Sequence, residues 1–336
     1  MEKKTALLLI GLFLIFFLSS SPSRAAAPAT RAVITFGSFS ERESALFVAD
    51  EQGFFRKYGL DVKLVHVRSG PVSLSALSAG ESHFYNGSAT GSTLGAIAGG
   101  LDAVFIAGLI NKLTGTIVVN PAIKSPSDLR GKNIGVQSMG GGIWMFTMLA
   151  LDHWGLDPKR DKIQFRVIGD ESVLAQSIAA QVIDGSYLSY TFASILERQG
   201  FRVLADLSKL NISYQGTGII TRRSFINSNP HTAESLLRAL VEAIAFIQDP
   251  ANKAQVMRSL AKGLRLPRVE DAAEGYERAN TFYERRIYPN LEGFRNVIRL
   301  LGPTNEKIRR LKAEDLVDIR FVKKLEEEGR FRLSLR

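Results

Sequence analysis

Two successive runs of alternating strand-like and helix-like segments, with no flexible linker between them, constrain this chain more than any other feature. In the first run VITFG (33–37) reads as a strand and ERESALFVADEQGFF (41–55) has helical apolar spacing. VKLVHV (62–67) alternates as a strand, LSALSAG (74–80) is a short helix, and HFYNG (83–87) is a strand again. SATGSTLGAIAGG (88–100) returns to helix and AVFIAGL (103–109) ends the run. The second run opens at TIVVN (116–120) and passes through NIGVQ (133–137) into the helix-like IWMFTMLALDHWG. It continues through QFRVIG, ESVLAQSIAAQV, GSYLSY, ASILERQG and RVLADL to about residue 207. One more strand, GTGIITRR (216–223), follows, and beyond it the pattern is predominantly helical.

Such alternation predicts the α/β class, with open, mostly parallel sheets covered by helices on both faces. A restart without a Gly/Ser/Pro-rich linker predicts two Rossmann-like lobes joined by strands that cross between them, residues 31–117 plus 208–336 forming one lobe and 118–207 the other. A ligand belongs in the cleft, at the carboxyl ends of the strands, where helix N-termini present free N–H groups.

The first residues stand apart from this pattern. Lys3 and Lys4 precede an unbroken apolar run from Ala6 to Leu18, and Ala25, Ala26 and Ala27 offer a signal-peptidase site. The run is shorter than the roughly 20 residues that span a bilayer. Residues 1–27 are therefore expected to be a cleaved secretory signal and the mature protein to be periplasmic, soluble and monomeric. The chain has no cysteine, which excludes disulfides, thiol chemistry and lipidation of a mature N-terminal cysteine.

A net charge of +10 raises the question of nucleic acid, and its distribution answers it. Residues 28–221 hold 17 basic and 16 acidic residues, whereas 222–336 hold 23 and 16. The excess lies on amphipathic segments such as SLLRALVEAIAFI and DLVDIRFVKKLEEEG, with no basic run interleaved with aromatics, so no nucleic-acid partner is expected.

The stretch QSMGGGIWMF (137–146) places Gly140, Gly141 and Gly142 between a strand and a helix, where their N–H groups can face a cleft. The spacing fits no nucleotide motif, since Ile143-Trp144 stands where a P-loop has Lys-Ser/Thr, and G-x-G-x-x-G is absent from the segment. His66, His83, His153 and His231 lack metal-ligand spacing, and Ser88 in NGSATGS lacks the nucleophile-elbow spacing. Asp170 and Glu171 sit at a strand-to-helix junction, where N-capping explains them as well as acid-base work does. No nucleophile, base and oxyanion donors are assembled, so neither an enzyme nor a cofactor or metal site is expected.

The residues also resemble a family. ALFVADEQGFFRKYGLDVKL (45–64) is similar to the opening signature of the periplasmic substrate-binding proteins of the nitrate, sulfonate and taurine class of ABC importers, which includes pyrimidine-precursor binders. LSAGESHFYNGSA, IKSPSDLRGKNIGVQSMGGG, GLDPKRDKIQFRVIGD, AAQVIDGSYLSY and TRRSFINSNPHTAESLLRALVEAIAF follow in the family's order. The resemblance implies a type II periplasmic-binding-protein fold in which GTIVVN and GTGIITRR are the antiparallel crossover strands of the second and first lobes. It also implies delivery of a small, anionic or polar organic molecule to an inner-membrane ABC permease. Positions that match the family's binding turns are Gly37, Ser38, Phe39 and Ser40, then Ser69 and Gly70, then Asn86, Gly87 and Ser88. In the second lobe they are Gln137, Ser138, Met139, Gly140 and Gly141, Gly169 with Asp170, and Tyr187, Ser189 and Tyr190, with Tyr214 before the returning strand. Glu41-Arg42-Glu43 departs from the family, whose members usually carry small or uncharged residues there, and Arg42 is a candidate for pairing with an anionic ligand group. Two alternatives share these features. One is a receptor presenting its ligand to a sensor kinase; the other is a pyrimidine-synthase-like enzyme, although those relatives depend on a cysteine-rich motif.

Overall fold

A computed structural model describes residues 29–332, and the expected signal at 1–27 lies outside the described residues. The first sheet has the order β2-β1-β3-β10-β4. Its strands are β1 (Thr30–Phe36), β2 (Leu60–His66), β3 (Phe84–Gly87), β4 (Ala103–Lys112) and β10 (Ser213–Arg222). β1 runs parallel to β2 and β3, while β10 inserts antiparallel between β3 and β4. The second sheet, β7-β6-β8-β5-β9, repeats the plan with β5 (Thr116–Val119), β6 (Asn133–Val136), β7 (Gln164–Val167), β8 (Gly185–Leu188) and β9 (Arg202–Asp206). Here β5 is the antiparallel insert, between β8 and β9.

Each lobe therefore takes its antiparallel strand from a crossing of the chain, as expected for GTIVVN and GTGIITRR. The expected boundary after residue 117 falls inside β5, which lies wholly in the second sheet, so the first crossing occurs just ahead of it.

The connecting helices named here are α1 (Ser44–Glu51), α2 (Gly70–Ala79), α3 (Gly91–Ala98), α4 (Gly142–His153), α5 (Glu171–Ala179) and α6 (Tyr190–Glu197). The helical pattern read over 41–55 is divided: a short 3-10 turn precedes α1, and Gly53, at φ +75°, ends it before a further helical turn at Phe54–Lys57. Strands in the first sheet alternate between two cores, as a period of two dictates. Phe84, Val104 and Ile219 face one core, shared with the C-terminal helices, and Tyr85, Phe105 and Ile220 face the other. The long helix α7 (Pro230–Gln248) buries Ala233, Leu236, Leu237, Leu240, Ala243, Ile244 and Ile247, a stripe at three- and four-residue spacing against the first lobe. Among the described residues no helix is long and apolar enough to cross a membrane.

Candidate functional site

The turn that follows β1 builds the site. Gly37 to Ser40 leave the end of the strand, and Glu41–Glu43 form one 3-10 turn in which successive side chains point about 120° apart. Three consecutive charged side chains are thereby sent to three different walls, and all are buried, with 1%, 7% and 4% of their surface exposed. Burying charge is costly unless it is paired, so the partners define what the cluster is for.

Glu41 crosses to the second lobe. Its Oε1 accepts the Tyr190 backbone N–H at 2.9 Å and its Oε2 accepts the Thr191 hydroxyl at 2.9 Å. The residue in the N-cap position of α6, Ser189, makes no side-chain cap, so a carboxylate from the other lobe takes that place.

Glu43 stays in the first lobe, accepting the Ser38 hydroxyl at 3.1 Å and the Asn86 side-chain N–H. Burial pushes its carboxyl up to about 7, although Arg42, Asn86 and Ser38 all pull the other way.

Arg42 points into the space between the lobes. Its guanidinium lies 4.7 Å from the centre of the Phe146 ring and 5.7 Å from that of Tyr187, a cation-π arrangement on second-lobe aromatics. Nε donates to Ser40 Oγ at 3.3 Å and Nη2 to Ser38 Oγ at 3.5 Å, while the nearest carboxylate oxygen, Glu171 Oε1, is 3.9 Å from Nη2. That is an ion pair without a hydrogen bond. Burial works against the charge, but Tyr187, Glu171, Glu43 and Glu41 more than offset it and hold the guanidinium above its ordinary pKa.

Glu171, the first residue of α5, supplies the facing carboxylate. Its Oε2 accepts the Ser189 N–H at 2.8 Å, and its Oε1 is buried without a hydrogen-bond partner. Burial raises this carboxyl to about 7 against the pull of Arg42. The neighbouring Asp170 does the capping instead: its Oδ1 accepts the N–H groups of Ser172 and Val173.

A small cavity of about 40 Å³ lies where these walls meet, lined by Ser38, Arg42, Glu43 and Asn86 from the first lobe and by Gln137 and Gly142 from the second. Asn86 Oδ1 is buried there and has no hydrogen-bond partner. Two direct bonds bridge the lobes beside it. Gln137 Nε2 donates to the Gly37 carbonyl at 2.8 Å, and the Ser92 N–H, in the first turn of α3, donates to the Gly140 carbonyl at 2.9 Å.

Of the positions expected from sequence, Gly37, Ser38, Arg42, Gly70, Asn86, Gly87, Ser88 and Gln137 line this cavity. Ser40 holds Arg42 Nε, and Tyr187 and Tyr214 pack around Phe146 behind the guanidinium, with their own hydroxyls buried and unpartnered. Ser69 precedes α2 in the N-cap position, while Ser138 and Ser189 bury hydroxyls without a partner. The remaining positions lie off the cavity wall. Phe39 stacks on His66 at 4.0 Å with Arg265 on its ring at 4.7 Å. Met139 is 54% exposed, and Gly169 packs beside Val173. Tyr190 turns its ring to Arg278 and its hydroxyl to Asp206 at 2.7 Å. Gly141 lies against Ser138, and Gly140 is the interlobe contact already described.

Glu41, Glu43 and Glu171 were missed. The signal was present in two places, an unbroken Glu-Arg-Glu after a strand and a second carboxylate beside a capping aspartate, but a charge run at a helix start ordinarily reads as a solvated face.

Two α/β lobes, each completed by a strand from the crossing chain and closing on a polar cavity, make up the periplasmic-binding-protein fold. A family model described as NMT1/THI5 like matches residues 42–253, and the chain belongs to that family. A Brucella abortus (strain 2308) protein named as a binding protein is 26% identical over 225 residues, 66% of this chain and 68% of that one. The alkanesulfonate-binding protein SsuA from Xanthomonas axonopodis pv. citri, solved bound to MOPS, superposes with a TM-score of 0.69 at 19% identity, covering 88% of this chain and all of the other. The periplasmic nitrate-binding protein NrtA from Synechocystis PCC 6803 gives 0.70 at 16% identity, covering 91% and 92%.

Proposed function

We propose that this chain is the solute-binding component of an ABC importer. It captures a small polar organic molecule between the lobes, works in the periplasm as a monomer freed of residues 1–27, and delivers its cargo unchanged to an inner-membrane permease. The moving bodies are the two lobes, divided just ahead of β5 and again between β9 and β10. One observation carries the reading: Arg42, Glu43 and Asn86 face Gln137 and Gly142 across a single cavity, so the polar groups that would contact a solute come from both lobes. Family membership and the names of the similar proteins support it.

A thermal-shift screen of sulfonates, carboxylates, phosphates, pyrimidines and amines tests capture. A hit should raise Tm in a concentration-dependent way and be recovered chemically unchanged. Recovery of a transformed product at catalytic stoichiometry would replace the reading with an enzyme. Transport of the hit should require the protein together with a permease and ATPase. A hit that instead activates a sensor kinase, with no uptake, assigns the receptor role.

A further inference from the structure

A groove on the outside of the first lobe takes no part in the solute site. α2 and α3 lie side by side, and Pro71, Leu74, Ser75 and Ser78 of the one face Ser92 and Ala96 of the other across an open space of about 270 Å³. We propose that this groove docks a partner protein: it takes an apolar side chain of a segment whose flanking carboxylates meet Lys307, Arg309, Arg310 and Lys312. Under the importer reading, on which the choice of partner rests, that segment belongs to the permease.

Three observations carry this. First, the groove suits a side chain better than a free solute. Small-molecule sites enclose roughly 300–1,000 Å³ and converge polar groups on the ligand. This one is smaller, open to solvent, and lined by apolar residues and serines, and Glu81 is the single charged residue between Ser69 and Leu101. Second, its flank is basic. The helical turn Glu306–Arg309 packs on α3, and Lys307, Arg309, Arg310 and Lys312 stand exposed. Glu306, the single acid between residues 302 and 313, is shared by Arg309 and Arg310. An uncharged centre beside a surplus of one sign selects a partner of the opposite sign and fixes its register. Third, the groove ends where the lobes meet. Ser92, on its wall, donates its N–H to the Gly140 carbonyl of the second lobe at 2.9 Å, and the adjoining Met139 is 54% exposed. A partner that covers the groove and reaches Met139 therefore touches both lobes only while they are closed.

A membrane surface is the poorer match. Interfacial anchors press a projecting apolar face into the lipid, whereas this face is concave.

The test places the photo-crosslinker p-benzoylphenylalanine at Val72, at Ser78, or, as a control on the second lobe, at Val182, which is 66% exposed. Irradiated in cells of the source organism, the Val72 and Ser78 forms should link to one membrane protein, at a segment with an apolar residue flanked by Asp or Glu. The Val182 form should not. Arg309→Glu combined with Arg310→Glu should cut the yield about tenfold. Ser75→Trp, which fills the groove, should abolish it at unchanged Tm; should that variant lose stability, the charge reversal decides alone. Links to a second copy of this chain, to lipid, to a basic segment or to nothing overturn the proposal, as does a yield that the charge reversal leaves intact. A sensor kinase linked at the expected kind of segment supports the docking and removes the importer reading. Uptake of the screening hit that persists undiminished in a stable Ser75→Trp removes the docking and leaves the importer reading standing.

Discussion

Glu41 and Tyr190 join the two lobes: a carboxylate at the end of the first strand turn of one lobe accepts, at 2.9 Å, the first backbone N–H of a helix in the other. The Thr191 hydroxyl occupies the second carboxylate oxygen at 2.9 Å, so both oxygens of a buried acid are spent on closure. Replacing a capping side chain costs about 1 kcal/mol, and a charge at a partly buried helix N-terminus adds to this. Glu41→Ala is expected to destabilise the closed form by roughly 2 kcal/mol and to enlarge the radius of gyration measured by solution scattering. An unchanged radius with unchanged Tm would show that the contact does not hold the lobes.

The carboxyls of Glu43 and Glu171 predict an inverted pH dependence. Burial raises each from an ordinary 4.5 to about 7, so between those values the folded protein binds more protons than the unfolded chain. Stability must then fall as pH rises through that window and level off above it. The loss is at most on the order of 3 kcal/mol per group. Tm of the ligand-free protein should drop between pH 5 and pH 8, and the drop should be shallower in Glu171→Gln. A Tm that climbs over that range in the wild type, with no difference in the variant, would falsify the assignment of these two groups.

Removing Arg42 should expose the same imbalance from the other side. Arg42→Ala leaves Glu43 and Glu171 without their cation, and breaking a buried ion pair by deleting one partner typically costs about 3 to 5 kcal/mol. Protonation of the carboxyls relieves the penalty. The Tm difference from wild type should therefore be larger at pH 8 than at pH 5, and solute binding should weaken at least tenfold, about 1.4 kcal/mol. A pH-independent difference would mean that the side chain serves only to pack against Phe146.

The sequence carried the layout because each sheet is built from local alternations. HFYNG, AVFIAGL, TIVVN, NIGVQ and GSYLSY are short apolar runs bounded by turns, and each became a strand. It carried the first-lobe turns as well, since Ser38 and Ser88 come within two residues of the ends of β1 and β3, and Asn86 lies in the last residues of β3. What it hid was direction. In Asp170-Glu171 either carboxylate can cap a helix, and only tertiary packing, with the Ser189 N–H of the same lobe and Arg42 of the other, makes the second the one that turns inward. Tyr187 lies in β8 and Tyr190 opens α6 just beyond it, yet one backs the guanidinium and the other faces Asp206 and Arg278 on the far side.

Gly140 supplies the last prediction. Its φ of +72° is one that other residues adopt only at a cost near 1 kcal/mol, and its carbonyl accepts the Ser92 N–H across the lobes. A Cβ there would come within 3.0 Å of Ser92 Oγ, at the point where the lobes touch. Gly155 makes the control: its φ is +67°, it lies within the second lobe, and nothing stands within 4 Å of an added Cβ. Gly155→Ala should lower stability by about 1 kcal/mol through backbone strain and leave solute affinity unchanged. Gly140→Ala should lose a similar amount of stability and also weaken binding severalfold, because the added methyl presses on the other lobe as the cleft closes. Calorimetric titration of the best screening hit into both variants separates the two effects. Equal affinities would reduce the glycine-rich stretch to a turn with no part in closure.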